Sequence, residues 1–299
     1  MTLEDMRIFV TIVNTGSFTA AAERLMLSKQ FVSRRIATLE SRLSARLLVR
    51  NTRNLSVTDV GHVFFQHASR ILDEVRQAEE AISLRQSRLV GNFKISLPHT
   101  FGLRHVASLI SAFQQQNPDI TLQIETNDRF VDLIGEGFDM ALRIGVLADS
   151  SLIARQLGTL PMVICASPSY LQQYGTPTDP SMLAEHRCLL YGREGQQGWT
   201  LQVDGAARLY PVSGPVLSNN GEVIREAAEA GLGLALLPRF IMEQGIAAGR
   251  LMPVLSSVTP PGLSLNALYP QHRQHSPVIR ALLNYIIEHL AIKTLADLT

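Results

Sequence analysis

Apolar residues recur at helical spacing from the first turn of the chain. Leu3, Met6, Val10 and Val13 share one face, and Asn14-Thr15-Gly16 marks where that helix stops. Ser17 and Thr19 offer capping hydroxyls to a short alanine-rich helix over 20–25, which breaks at Met26-Leu27. Ser28 is placed to cap a third helix reaching Leu43. On it Val32, Ile36, Leu39 and Leu43 form one buried stripe, and Lys29, Gln30, Ser33, Arg34 and Thr38 lie on the other face. Two helices joined by a tight turn, the second polar and basic outside, describe a helix-turn-helix.

From Thr58 to Leu84 there is no proline and one glycine, Gly61. Phe64, Ala68, Ile71, Val75, Ala78 and Ile82 step alternately by four and three, the seam of a coiled coil. About 27 residues at ~1.5 Å each make a rod of ~40 Å. Two partners are open to it: its own domain, or the same helix of a second chain. Beyond 88–92 the pattern changes to short apolar strands alternating with helices. Strands are predicted at 93–97, 120–125, 138–144, 162–166 and 234–237, and helices at 103–115 and 220–230. Such alternation predicts an α/β domain with a largely parallel sheet.

The length of 299 residues suits two domains, and 46% hydrophobic residues supply their cores. No apolar run is long enough for a membrane span, and the acidic start, Glu4-Asp5, is unlike a secretory signal, so the expected compartment is the cytoplasm. The formal charge is only +1, but it is unevenly spread. Residues 1–92 carry 13 basic and 9 acidic side chains, the rest 14 and 17. Between positions 24 and 53, eight basic residues (Arg24, Lys29, Arg34, Arg35, Arg42, Arg46, Arg50 and Arg53) stand against the single acid Glu40. A local positive face of this kind is the footprint of a nucleic-acid partner.

The run Gly16-Ser17-Phe18-Thr19-Ala20-Ala21-Ala22, with Leu25, Ser28, Val32-Ser33-Arg34, Leu39-Glu40 and Leu43 at fixed spacing, resembles the winged helix-turn-helix of LysR-type transcriptional regulators. Leu47-Leu48-Val49-Arg50 and Leu55-Ser56-Val57-Thr58-Asp59-Val60-Gly61 resemble that family's wing and the start of its linker helix. Phe138-Asp139-Met140-Ala141-Leu142-Arg143, Ala166-Ser167-Pro168 and the stretch 228–238 resemble its effector domain. Two departures stand out. Ser28-Lys29-Gln30-Phe31 replaces the usual Ser-Gln-Pro-Ala or Ser-Gln-Ser-Ala, and Ser44 replaces a glycine.

The resemblance implies an all-α winged helix-turn-helix over 1–58, a long linker helix for dimerisation over 59–87, a hinge at 88–92 and an effector domain over 93–299. The last is a two-lobed α/β domain similar to type 2 periplasmic solute-binding proteins, with lobe one at 93–163 and 268–299 and lobe two at 164–267. It implies double-stranded operator DNA, RNA polymerase and a small-molecule effector as partners, and a homodimer or homotetramer. Lys29 suits guanine and Gln30 adenine in the major groove, while Ser28, Ser33 and Arg34 suit phosphates. Thr19, Arg35 and the wing arginines Arg50 and Arg53 complete the expected DNA contacts; Arg42 and Arg46 read as surface charge.

By the same carry-over Pro98, His99, Thr100, Asn127, Arg143, Trp199, Ser218, Asn219 and Asn220 line the effector cleft. Arg143 suits a carboxylate effector, which a guanidinium grips with two parallel bonds, or else a structural salt bridge. Trp199 either stacks on a ligand or fills a core, and His99 is either a ligand donor or a helix cap.

Enzyme chemistry is not indicated, and no cofactor or metal is expected. Gly231-Leu232-Gly233 follows a helix instead of a strand, the reverse of a dinucleotide loop. His272 and His275 lack companion ligands, and Cys165 and Cys188 cannot make a disulfide framework. The alternative to a regulator is a solute-binding or carrier protein whose N-terminal helices serve only assembly.

Overall fold

The computed structural model describes residues 1–50, 55–85, 89–129, 131–147, 151–192, 198–258 and 260–290. The expected contact Arg53 falls outside these, as do the side chains of Arg50 and Ile82.

Three helices form the head: α1 (Leu3–Thr15), α2 (Phe18–Leu25) and α3 (Lys29–Leu43). Each begins on a hydroxyl cap. Thr2 and Asp5 cap α1 reciprocally, Ser17 accepts from the Thr19 and Ala20 amides, and Ser28 accepts from the Phe31 amide at 3.2 Å. Ile8, Phe9, Ile12, Ala21, Val32, Ile36 and Leu39 share one core. The wing is a hairpin of β1 (Leu48–Arg50) and β2 (Leu55–Val57). Glu40, the lone acid of the basic segment, anchors it by accepting from the amides of Leu47 and Leu48 at 2.8 and 3.1 Å.

Helix α3 ends at Ser44, whose backbone is left-handed at φ 51°. A side chain there costs energy that glycine avoids. Ser44→Gly is therefore expected to stabilise the head by about 1 kcal/mol. Chemical denaturation checks it, and an unchanged midpoint would count against the strain.

The long helix α4 (Asp59–Arg85) starts on Thr58, whose hydroxyl accepts from the Gly61 amide at 2.9 Å. A Cβ on Gly61 would lie 2.2 Å from the Leu47 carbonyl oxygen, so glycine lets the rod press against the wing. The predicted seam is divided. Phe64 meets Phe9 edge-on at 5.2 Å and packs on the head core of its own chain, and Ala68 is fully buried. Ile71, Val75 and Ala78 remain exposed. One spacing thus runs through a covered stretch and then an exposed one.

Two five-stranded sheets follow, with strands β3 (Gly91–Leu97), β4 (Ile120–Thr126), β5 (Met140–Ile144), β6 (Leu152–Leu160), β7 (Met162–Ala166), β8 (Cys188–Tyr191), β9 (Gly198–Val203), β10 (Ala206–Pro211), β11 (Leu217–Ser218), β12 (Leu234–Pro238), β13 (Met252–Val254) and β14 (Leu263–Pro270). Lobe one has the order β4-β3-β5-β14-β6 and lobe two the order β11-β8-β12-β7-β13; β9 and β10 form a separate hairpin. The sheets are mixed and not largely parallel. In each, two pairings are parallel and the two involving strands near the lobe crossings are antiparallel. Burial patterns report which face is covered and carry no information about strand direction. The lobe limits also shift: β7 already belongs to lobe two, and all of β14 returns to lobe one, five residues before the predicted crossing. Similarly β3 begins at Gly91, inside the predicted hinge.

The helices of this domain are α5 (His99–Phe101), continued by a π-helical turn at Gly102–Val106 into α6 (Ala107–Gln116), then α7 (Pro168–Tyr174), α8 (Gly221–Glu229), α9 (Arg239–Ala247) and α10 (Pro277–His289). Cys165 and Cys188 sit on either side of β12 in different cores, which keeps the two thiols apart. Burial pushes each thiol up to about 12. Among the described residues, no helix is long and apolar enough to cross a membrane.

Candidate nucleic-acid interface and effector cleft

The side of α3 opposite Val32, Ile36 and Leu39 is open to solvent. Ser28, Lys29, Gln30 and Arg34 are exposed at its N-terminal half, and Thr19 is exposed at the start of α2. Ser33 is half-buried beside them. Phe31 is half-buried against the head core, with the Arg34 and Arg35 guanidinium carbons each 6.0 Å from its ring centroid. The outlier is Arg35. It pairs with Asp5 at 2.5 Å and donates to the Thr2 hydroxyl at 2.9 Å, tying α3 to the start of α1. Asp5 is buried and accepts the Thr2 amide as well, so Arg35 compensates a carboxylate of its own domain and is corrected from DNA contact to internal brace.

The second site lies between the lobes, a cavity of about 120 Å³ walled by the ends of β3, β5 and β12 and the starts of α5, α8 and α9. Of the expected cleft residues, Pro98, Thr100, Asn127 and Arg143 line it. Arg143 is 7% exposed; it donates to the Ser96 hydroxyl and the Leu142 carbonyl, each at 2.7 Å. Asn127 donates to the same hydroxyl at 3.4 Å, and its Oδ1 is buried without a hydrogen-bond partner. No carboxylate among the described residues comes within ion-pair distance of Arg143, so the salt-bridge role is not found. Burial pulls its pKa down to about 10, with the Asp128 charge opposing the fall, and the group remains cationic at neutral pH.

The other expected residues do not line the cavity. Trp199 is 2% exposed and packs with Tyr170, Leu183 and Val254 in the lobe-two core, because β9 turns its inner face onto that sheet. His99 points outward and meets the Thr126 hydroxyl at 3.2 Å. Asn220 caps α8 by accepting from the Glu222 amide, and Ser218 accepts from the Asn220 amide. Asn219 is exposed. This turn shapes the cleft wall through Gly221 instead of through its own side chains. Sequence reasoning missed Phe101, Asp128, Tyr191 and Phe240, all of which face the cavity. Burial, with the Asp128 charge nearby, pushes the Tyr191 phenol up to about 12 and keeps it a donor. The available signal was position: Tyr191 ends a strand and Phe240 opens a helix.

Residues 3–62 match the family described as bacterial regulatory helix-turn-helix protein, lysR family, and residues 86–291 match the LysR substrate binding domain. The chain belongs to the LysR family. Among its LysR-type relatives, an HTH-type transcriptional regulator of Xanthomonas campestris pv. campestris is 36% identical over 96% of this chain and 85% of its own length. The HTH-type transcriptional regulator CrgA of Neisseria meningitidis is 33% identical over 96% of both chains. The full-length Vibrio cholerae virulence activator AphB superposes with a TM-score of 0.62 at 28% identity, over 97% of this chain and all of that one. The protein is thus a DNA-binding transcriptional regulator with an effector-binding domain, and a solute carrier with incidental helices is not favoured.

In this LysR-type chain a buried ion-pair network joins the linker helix to lobe one. Asp139 accepts Arg76 of α4 and Arg273, each at 2.8 Å, and the Lys94 amide at 2.7 Å. Arg273 is 1% exposed. On α4, Asp73 pairs with Arg76 at 2.6 Å and with His272 at 2.7 Å. Burial pushes the Asp73 carboxyl up, but the His272 hydrogen bond and the Arg76 and Arg273 charges outweigh it and hold its pKa low. His272, read from the sequence as one half of an unsupported metal motif, is engaged here.

Proposed function

We propose that this regulator reads a partly palindromic operator as a homodimer, assembled into a homotetramer in the cytoplasm, and responds to a small carboxylate held by Arg143. The exposed Ile71, Val75 and Ala78 of α4 support pairing with a second chain. Exposed Lys29 and Gln30, capped in place by Ser28, suit base edges, and Arg34 with Ser33 and Thr19 suits phosphates. Arg50 and Arg53, basic residues of the wing segment, suit the flanking phosphates.

The observation that carries the effector half is Arg143, a buried guanidinium that lines the cavity with no carboxylate within ion-pair distance of it among the described residues, Asp128 of the same lining included. The unpartnered Asn127 Oδ1 beside it asks for a donor. An acid that also carries a hydroxyl or amino group satisfies both. Filling the cleft would shift how the lobes close, hence how subunits pair, how far the DNA bends and how RNA polymerase reaches the promoter.

The test is titration of the full chain onto its own upstream intergenic DNA and a scrambled duplex, across a salt series and with a panel of small organic acids. Sequence-specific binding at about 0.15 M salt is expected. Lys29→Ala with Arg34→Ala should weaken it by about 100-fold. Equal, steeply salt-dependent binding to both duplexes would overturn the operator reading, and indifference to every acid would overturn the effector.

A further inference from the structure

A second cavity, of about 430 Å³, lies behind the first. Phe101 and Phe240 line both, their rings in edge contact with centroids 5.3 Å apart, so this aromatic pair is the partition between them. The helix running from α5 into α6 serves both chambers. Gly102 packs so tightly on β3 that a Cβ there would stand 2.7 Å from the Leu97 Cβ. Immediately after this contact the π-helical turn inserts its extra residue, a distortion that concentrates at functional positions. Thr100 faces the first chamber and Arg104 and His105 face the second.

The second chamber is built mainly from apolar groups, with Leu109 and Leu160 beside the two phenylalanines. Among the described residues, two of its half-buried side chains, His105 and Arg239, carry polar groups without partners. The His105 ring lies against Phe101 and Phe240 at 5.0 and 5.4 Å, and its Nε2 is buried with no hydrogen bond. Burial, with Arg104 alongside, lowers the His105 pKa and favours the neutral ring. Arg239, half-buried at the opening of α9, has no carboxylate within ion-pair distance among the described residues; Glu243, one turn further along, is exposed. Arg104, by contrast, is engaged with Glu222 at 2.9 Å and the Phe240 carbonyl at 3.2 Å.

The geometry points to a second ligand site in this chamber, for a small carboxylic acid with a ring-sized apolar body. The carboxylate meets Arg239, the body lies on Phe101, Phe240, Leu109 and Leu160, and a polar atom of the ligand satisfies His105 Nε2. Such a ligand bridges the lobes, because His105, Leu109 and Leu160 belong to lobe one and Arg239 and Phe240 to lobe two. The site stands independently of Arg143, which lies beyond the phenylalanine partition.

The test uses full-length protein and 4-fluorophenylacetate followed by fluorine NMR line broadening, with 2-(4-fluorophenyl)ethanol as its uncharged match. Binding is expected in the wild type and in Arg143→Gln, about tenfold weaker in Arg239→Gln, largely restored in Arg239→Lys, and weaker for the alcohol. Operator binding by each variant shows that it has folded, and Leu109→Trp, which fills the chamber without touching a charge, should weaken binding too. Absence of broadening up to about 10 mM probe, a Kd range already weak for a built site, would overturn the proposal. So would binding indifferent to Arg239, or binding lost with Arg143.

Discussion

Asp139→Ala is expected to lower the melting temperature of the protein by about 10 °C. The carboxylate is buried and accepts two guanidinium groups and one backbone amide. Its removal leaves Arg273, 1% exposed, with a charge inside the protein and its principal counter-ion gone. Stranding one partner of a buried pair costs about 3–5 kcal/mol, and each kcal/mol moves the midpoint of a domain this size by about 2–4 °C. The companion change Arg273→Met removes the stranded charge, so the double variant should recover about half of the loss. Calorimetry on the two single variants and the double one decides the matter. A fall under about 3 °C for Asp139→Ala would mean that the network is incidental.

Arg143→Gln is expected to leave operator binding intact while weakening the effector by at least about 100-fold, the cost of losing a charge-assisted bidentate contact in a closed site. Arg143→Lys should fall between the two, since an ammonium supplies charge without the planar fork. The pH profile is a separate check. A base is charged below its pKa, so anion binding should be flat through neutral pH and decline as pH climbs through about 10, where the buried guanidinium loses its proton. Titration calorimetry with an acid that shifts DNA binding supplies both readings. Full affinity in Arg143→Gln would remove Arg143 from the effector site.

The head was legible because its information is local. Val32, Ile36 and Leu39 sit at helical spacing, Ser17 and Ser28 precede the helices they cap, and both features are fixed by neighbours within a few residues. What the pattern could not convey was orientation between distant segments. Asp139 and Arg273 meet only because β5 and β14 pair in one sheet, and alternation of apolar residues does not say which strands pair or in which direction. Trp199 shows the same limit. An indole suits a ligand wall or a core equally well, and only the hairpin of β9 and β10 settles which. Arg35 pairs with Asp5 on another helix, a contact that spacing along α3 does not reveal. In the cleft, Asn127 and Arg143 line the cavity as expected, whereas Phe240 and Tyr191, which line it too, were overlooked because aromatics near apolar strands read as core.

The linker helix is fastened to one lobe by Asp73 with His272 and by Arg76 with Asp139, and all of those lobe residues belong to lobe one. Lobe one is therefore placed as a stator for the linker helix, and lobe two, joined by two chain crossings and the phenylalanine partition, as the rotor. Under the proposed function, a cleft that closed would leave the recognition helix keyed to its own lobe while the far lobe swung. Any torque on the promoter would then be delivered outward, through a neighbouring subunit set against lobe two.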